Sequence, residues 1–169
     1  RQLLMGNIIN ANRFKVAPSG GIPLQNIISE YKFENNVLDS VGSNDGTATG
    51  ITYTAGLVGQ CAVFDAVTDK VALNSPTGLS FGNGTTDVPF SVSFLLKYDT
   101  VATSVLINKK DIATGGTGEY QIDYDGSSAL TFYLFDDVTN TNRIFIAVSK
   151  SFSASNWYHI TTTYDGSGT

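Results

Sequence analysis

The chain has 169 residues, 41% hydrophobic and only 15% charged, which is enough apolar mass for one domain with its own core and too little charge for a disordered chain. A formal net charge of −5, with no basic cluster denser than Lys109-Lys110, excludes nucleic acid as the main partner. No run reaches the ~20 apolar residues of a membrane-spanning helix, and the single cysteine, Cys61, excludes an intrachain disulfide.

Residues 1–29 differ from the rest. Leu3-Leu4-Met5 and Ile8-Ile9 are apolar, and Pro18-Ser19-Gly20-Gly21-Ile22-Pro23 cannot be helix interior, so it reads as a linker. The segment is expected to form an extended N-terminal arm that packs either on its own domain or on a partner chain. From residue 30 onward the pattern is β. In Glu30-Tyr31-Lys32-Phe33-Glu34 the two rings alternate with charges, which predicts a strand with Tyr31 and Phe33 on one face. Asn35 to Gly50 reads as a long polar loop. Cys61–Phe64 and Lys70–Leu73 read as strands around an Asp65–Asp69 turn, with Cys61 as a small core residue.

The cleanest alternation lies in Phe90–Tyr98, which places Phe90, Val92, Phe94, Leu96 and Tyr98 on a core face. Strands are then predicted at Val105–Lys109, Tyr120–Tyr124, Leu130–Phe135, Arg143–Val148 and Trp157–Tyr164, separated by Gly115-Gly116, Asp125-Gly126 and Asn140-Thr141-Asn142. No helical periodicity stands out. Short strands at this spacing, in a chain with 17 Gly, 8 Tyr and 10 Phe, predict an all-β antiparallel sandwich or barrel. Asp165-Gly166 after the last strand announces a hairpin partner, so the closing strands are expected either from a continuation of the polypeptide or from another chain.

Four blocks occur in a familiar order: Tyr31–Gly42 with Asp45-Gly46; Gly56–Asp65 with Asp69-Lys70-Val71; Phe90–Phe94; and Trp157–Ile160 with Tyr164-Asp165-Gly166-Ser167-Gly168. Together they resemble the laminin-G-like, concanavalin A-like lectin/glucanase jelly roll over residues 30–169. Two departures stand out: Leu95 where members of that family often carry Trp, and the absence of their closing strands. The resemblance implies a jelly-roll β-sandwich and a non-catalytic recognition or display module. Its expected setting is a bacteriophage virion surface, as a head fibre, decoration protein or tail-fibre component. There residues 1–29 would anchor it to other virion or surface chains in an oligomer or assembly. The alternative is a bacterial surface or secreted adhesin or a carbohydrate-binding module.

The candidate sites divide by chemistry. Glycosidases need two carboxylates about 5 to 9.5 Å apart across the bond. The nearest sequence match, Glu30-Tyr31-Lys32-Phe33-Glu34, carries Lys32 at its centre, and Glu119 stands alone, so no enzyme activity is expected. His159, the only histidine, lies in the fourth block with no nucleophile motif beside it. Calcium is the candidate cofactor: Asp39, Asn44 and Asp45 crowd a loop where related domains hold an ion, the other reading being an Asx-turn loop without metal. Glycan binding would draw on aromatic faces and polar side chains, for which Tyr53, Tyr120, Asp123, Tyr124, Asp125 and Asn142 are the candidates. Tyr120 and Tyr124 share parity with Ile122, which also suits a core stripe.

Overall fold

A computed structural model describes residues 2–9, 27–74, 76–82, 86–110, 118–135 and 143–167. Among these the chain is all-β. The strands are β1 (Gln2–Ile9), β2 (Ile27–Tyr31), β3 (Gly46–Thr49), β4 (Thr52–Ala55), β5 (Gln60–Phe64), β6 (Lys70–Leu73), β7 (Phe90–Tyr98), β8 (Ser104–Lys110), β9 (Gly118–Tyr124), β10 (Ala129–Phe135), β11 (Arg143–Ser149) and β12 (Trp157–Tyr164). They form three antiparallel sheets. The largest runs β12-β7-β1-β5-β4, with β2 also on β1; the second runs β11-β10-β9-β8; the third is the pair β3-β6.

The β7 alternation does what its pattern predicts. Phe90, Val92, Phe94, Leu96 and Tyr98 are all buried, and they meet the inward residues of the second sheet in a single core with Tyr120, Ile122, Tyr124 and Phe132. Phe90 lies at the centre of this core. Its ring stacks on Phe81 at 4.1 Å and meets Tyr120 at 5.2 Å, with Phe132 and Tyr164 edge-on at 6.0 Å each. A second aromatic group, Tyr98, Tyr124 and Phe152, fills the other end, with Tyr124 and Phe152 at 4.7 Å. Such pairs add about 0.5–1.5 kcal/mol each beyond the area they bury.

Several expectations need correction. The strand predicted over Glu30–Glu34 stops at Tyr31. Phe33 takes a left-handed φ of 57°, a conformation costly for a bulky side chain. Its ring is nevertheless buried and stacked on Tyr31 at 6.3 Å, so the core selects the side chain while the backbone turns away. The predicted loop Asn35–Gly50 ends in β3, and β4 follows it. Both are short Thr-rich strands with few buried residues, and so leave little apolar alternation to read. The Asp65–Asp69 turn joins strands of two different sheets, since β5 pairs with β4 and β1 whereas β6 pairs with β3. It is closed by Asp69, whose Oδ2 accepts from the backbone N–H groups of Asp65 and Ala66 at 2.9 Å each.

Of the segment expected as an arm, residues 2–9 and 27–29 are sheet strands; Arg1 and residues 10–26 lie outside the described residues. β1 pairs with β7 along its whole length, from Gln2 opposite Tyr98 to Ile9 opposite Ser91. Its other edge is shared between β5, at Gln2–Leu4, and β2, at Gly6–Ile9. It is therefore an interior strand of the largest sheet.

Thr162, on β12 opposite Val92, carries a buried hydroxyl with no hydrogen-bond partner among the described residues. An unsatisfied buried polar group costs about 1–3 kcal/mol, and a methyl of similar shape removes that cost. Thr162→Val is therefore expected to raise stability by about 1 kcal/mol, read as a higher denaturation midpoint at unchanged slope in urea. An unchanged or lower midpoint would show that the hydroxyl is satisfied in solution.

Candidate functional site

The second sheet has one face in the core and one facing away. On β10, Phe132 is buried in the core and Leu130 and Leu134 pack against it. The alternate residues Thr131, Tyr133 and Phe135 therefore take the opposite face. The ladder sets Tyr133 between Gln121 of β9 and Phe145 of β11, Thr131 between Asp123 and Ala147, and Phe135 opposite Arg143. Three rings gather there: Tyr133 lies 5.9 Å from Phe135, stacked, and 5.7 Å from Phe145, tilted. The Arg143 guanidinium sits 5.3 Å above the Tyr133 ring, a cation–π contact that holds it over the aromatic surface. Beside the rings, Gln121 Nε2 donates to Asp123 Oδ2 at 2.9 Å, leaving further polar atoms of both side chains to meet a ligand. Phe145 is 61% exposed. Aromatic area with a cation over it and a polar pair alongside can pack on an apolar ring face and bond hydroxyls at its rim.

The residues singled out from the sequence fall in different places. Asp123 lies on this face. Tyr120 and Tyr124 point the other way and are buried in the core; burial pushes the Tyr120 phenol well above its ordinary range. Tyr53 is half-buried against the same core. Asp125 serves the β9–β10 turn: its Oδ1 accepts from the N–H groups of Ser127, Ser128 and Ala129 at 2.7, 2.8 and 3.1 Å. Those donors hold its carboxyl well below the usual carboxylate range. Gly126 at φ 89° completes the turn, and a Cβ there would stand 2.6 Å from the Thr103 nitrogen. Asn142 lies outside the described residues. Tyr133, Phe135, Arg143 and Phe145 were not singled out from the sequence. Leu130–Phe135 is almost continuously apolar, so which of its rings face outward is set by pairing register and not by pattern.

Asp39, Asn44 and Asp45 do come together, in a loop tied by its own backbone. Asp39 Oδ1 accepts from the N–H groups of Glu30, Val41 and Gly42 at 3.0, 3.1 and 2.9 Å, and its Oδ2 from Asn44 N–H at 3.1 Å. Asp45 Oδ1 accepts from Asp39 N–H at 2.8 Å. The Asn44 side-chain amide bridges to Ser29 and Thr77, and the Asn44 backbone carbonyl accepts from the Tyr31 hydroxyl at 2.5 Å. Burial pushes that phenol up to about 12. Gly42 is needed here, because a Cβ would stand 2.5 Å from the Ile28 carbonyl oxygen and 2.6 Å from Asp39 Oδ2. Among the described residues no three His, Cys, Asp or Glu side chains come together as a metal-holding group.

The glutamates are each engaged in holding the chain. Glu119 pairs with Lys109 and accepts from Phe81 N–H at 2.9 Å. Glu34 accepts from Gln60 N–H at 3.2 Å through both oxygens. Glu30 bonds the Ser40 hydroxyl at 2.5 Å and lies 3.4 Å from Lys32. His159 meets the Ser93 hydroxyl across the β7–β12 ladder at 2.7 Å, beside Thr161. Cys61 is buried against the carbonyls of Thr54 and Ala55. No helix among the described residues is long and apolar enough to cross a membrane. Compared with protein-family models, curated proteins and solved structures, the chain matches none.

Proposed function

We propose that this chain is a non-catalytic recognition and display module, a β-sandwich of the laminin-G-like jelly-roll type carried on a virion surface, and that the outward face of its second sheet binds a glycan. The observation that carries the reading is the cluster of Tyr133, Phe135 and Phe145 under Arg143, with Gln121 and Asp123 at its side. The rings would stack on the C–H face of a sugar, and the polar side chains would bond its hydroxyls. The engagement of all three glutamates in structural bonds supports binding without hydrolysis. The virion setting rests on the family resemblance, on the absence of an intrachain disulfide, and on Thr-, Ser- and Gly-rich strands with no active-site signature.

A glycan array probed with the intact chain, followed by titration calorimetry on the best hit, tests this. Tyr133→Ala is expected to weaken binding about tenfold, equivalent to ~1.4 kcal/mol, with the far-UV circular dichroism unchanged. Tyr53→Ala, on β4 of the largest sheet, is expected to leave affinity unchanged. An array without hits, or a hit bound equally well after Tyr133→Ala and Phe145→Ala, would sink the assignment.

A further inference from the structure

Among the described residues, β11 is the outer strand of the second sheet, hydrogen-bonded to β10 on one side only. All seven of its residues are exposed. Ile144, Phe145, Ile146 and Val148 are 42%, 61%, 61% and 53% exposed, so apolar side chains are uncovered on both faces of one edge strand. Edge strands of soluble proteins ordinarily carry an inward charge, a proline or a bulge to prevent pairing. Between Ile144 and Val148 there is none of these, and the β10–β11 register is unbroken from Ala129–Ser149 to Phe135–Arg143. The edge is regular, and among the described residues no further strand pairs with it.

The sequence of this edge is complementary to itself. In an antiparallel pair about a two-fold axis at Ile146, Ile146 faces its own copy, Ile144 faces Val148, Phe145 faces Ala147, and Arg143 faces Ser149. β-Branched residues pair with β-branched residues on one face, and the large ring pairs with the small methyl on the other. The strand's only charge meets a hydroxyl, so no like charges are opposed. A two-fold pair of this kind closes on itself, because each copy uses the same patch and neither edge remains free.

We infer that β11 is a dimerisation edge, and that its occupant is β11 of a second copy of this chain, joining two four-stranded sheets into one of eight. The inference does not depend on glycan binding. The net charge of −5 on each copy opposes the approach at long range, and salt screens it, so association strengthens as ionic strength rises.

Multi-angle light scattering and sedimentation on the intact chain over a wide concentration range test this. The expected mass at high concentration is twice the 18.0 kDa of the chain. Ile146→Lys sets two ammonium groups against each other on the axis and is expected to return the mass to one copy; exposed in the monomer, it should leave the circular dichroism unchanged. Thr161→Lys, on the outer strand of the largest sheet, is the matched control and should leave the dimer intact. Ile146→Cys is expected to give a disulfide-linked dimer on mild oxidation, Cys61 being buried. A monomer at every concentration would overturn the inference, as would a dimer that survives Ile146→Lys. So would protection of β11 amides from exchange only when a different protein is added.

Discussion

Phe90→Ala is expected to lower stability by about 3–5 kcal/mol, the cost of removing a buried aromatic ring and leaving its cavity. Phe90 is 2% exposed and touches four other rings. Those rings come from both larger sheets and from the segment around Phe81, so the site cannot collapse without moving strands that are held on both sides. β7 itself is fixed by β1 on one edge and β12 on the other. Domains of this size have about 5–15 kcal/mol in total, so the variant should be unfolded in a large fraction at moderate urea. Phe90→Leu keeps most of the volume and should cost less than half as much. Urea denaturation monitored by Trp157 fluorescence checks both. A loss below about 1 kcal/mol for Phe90→Ala would mean that the two sheets do not share this core.

What could be read from the sequence follows from how each strand is buried. β7 has one inward face, and its alternation gives both the strand and its core residues; in β9 the same parity leaves Tyr120 and Tyr124 open between core and ligand face, and the structure buries both. β3 and β4 bury almost nothing, so their Thr-rich sequences resemble loop. Phe33 was placed on the right face by its chemistry and in the wrong backbone conformation by its neighbours, since a buried ring does not require a strand to carry it. The interior position of β1 had no signal in residues 1–29 alone, because an apolar segment looks the same whether it packs on its own sheet or on a partner. The aromatic face was hidden for a related reason: Leu130–Phe135 is apolar on both sides, and only the register with β9 and β11 separates Phe132 from Tyr133. Asp125 and Asp39 were picked out as ligand-binding groups because turn and ligand chemistry use the same residue. In the structure backbone N–H groups bond both oxygens of Asp39 and Oδ1 of Asp125, and the Ser128 hydroxyl bonds Asp125 Oδ2.

Asp39 supplies the second large effect. Four backbone N–H groups, from Glu30, Val41, Gly42 and Asn44, converge on its carboxylate. Hydrogen bonds to a charged acceptor are worth about 1.5–3 kcal/mol each and do not add fully, so Asp39→Ala should cost about 3–4 kcal/mol. Burial acts to raise the pKa of this carboxyl, but the N–H donors of Glu30 and Gly42, the Ser29 hydroxyl and the N–H of Val41 outweigh it and hold it below its ordinary value. A depressed folded pKa means that the contribution is complete above the unfolded carboxyl range, near pH 4, and is lost as pH falls through the lower folded value. The acid limb of the melting temperature should therefore be shallower in Asp39→Asn than in the wild type, while the two run parallel at neutral pH. If the loop instead depended on calcium, a chelator would lower the wild-type melting temperature and millimolar calcium would restore it. With the Asp39 lone pairs directed at amides, the expected melting temperature is the same in both. A chelator-sensitive wild type combined with a chelator-insensitive Asp39→Asn would transfer the role of those amides to an ion. An acid limb unchanged by Asp39→Asn would remove Asp39 from the loop's stability altogether.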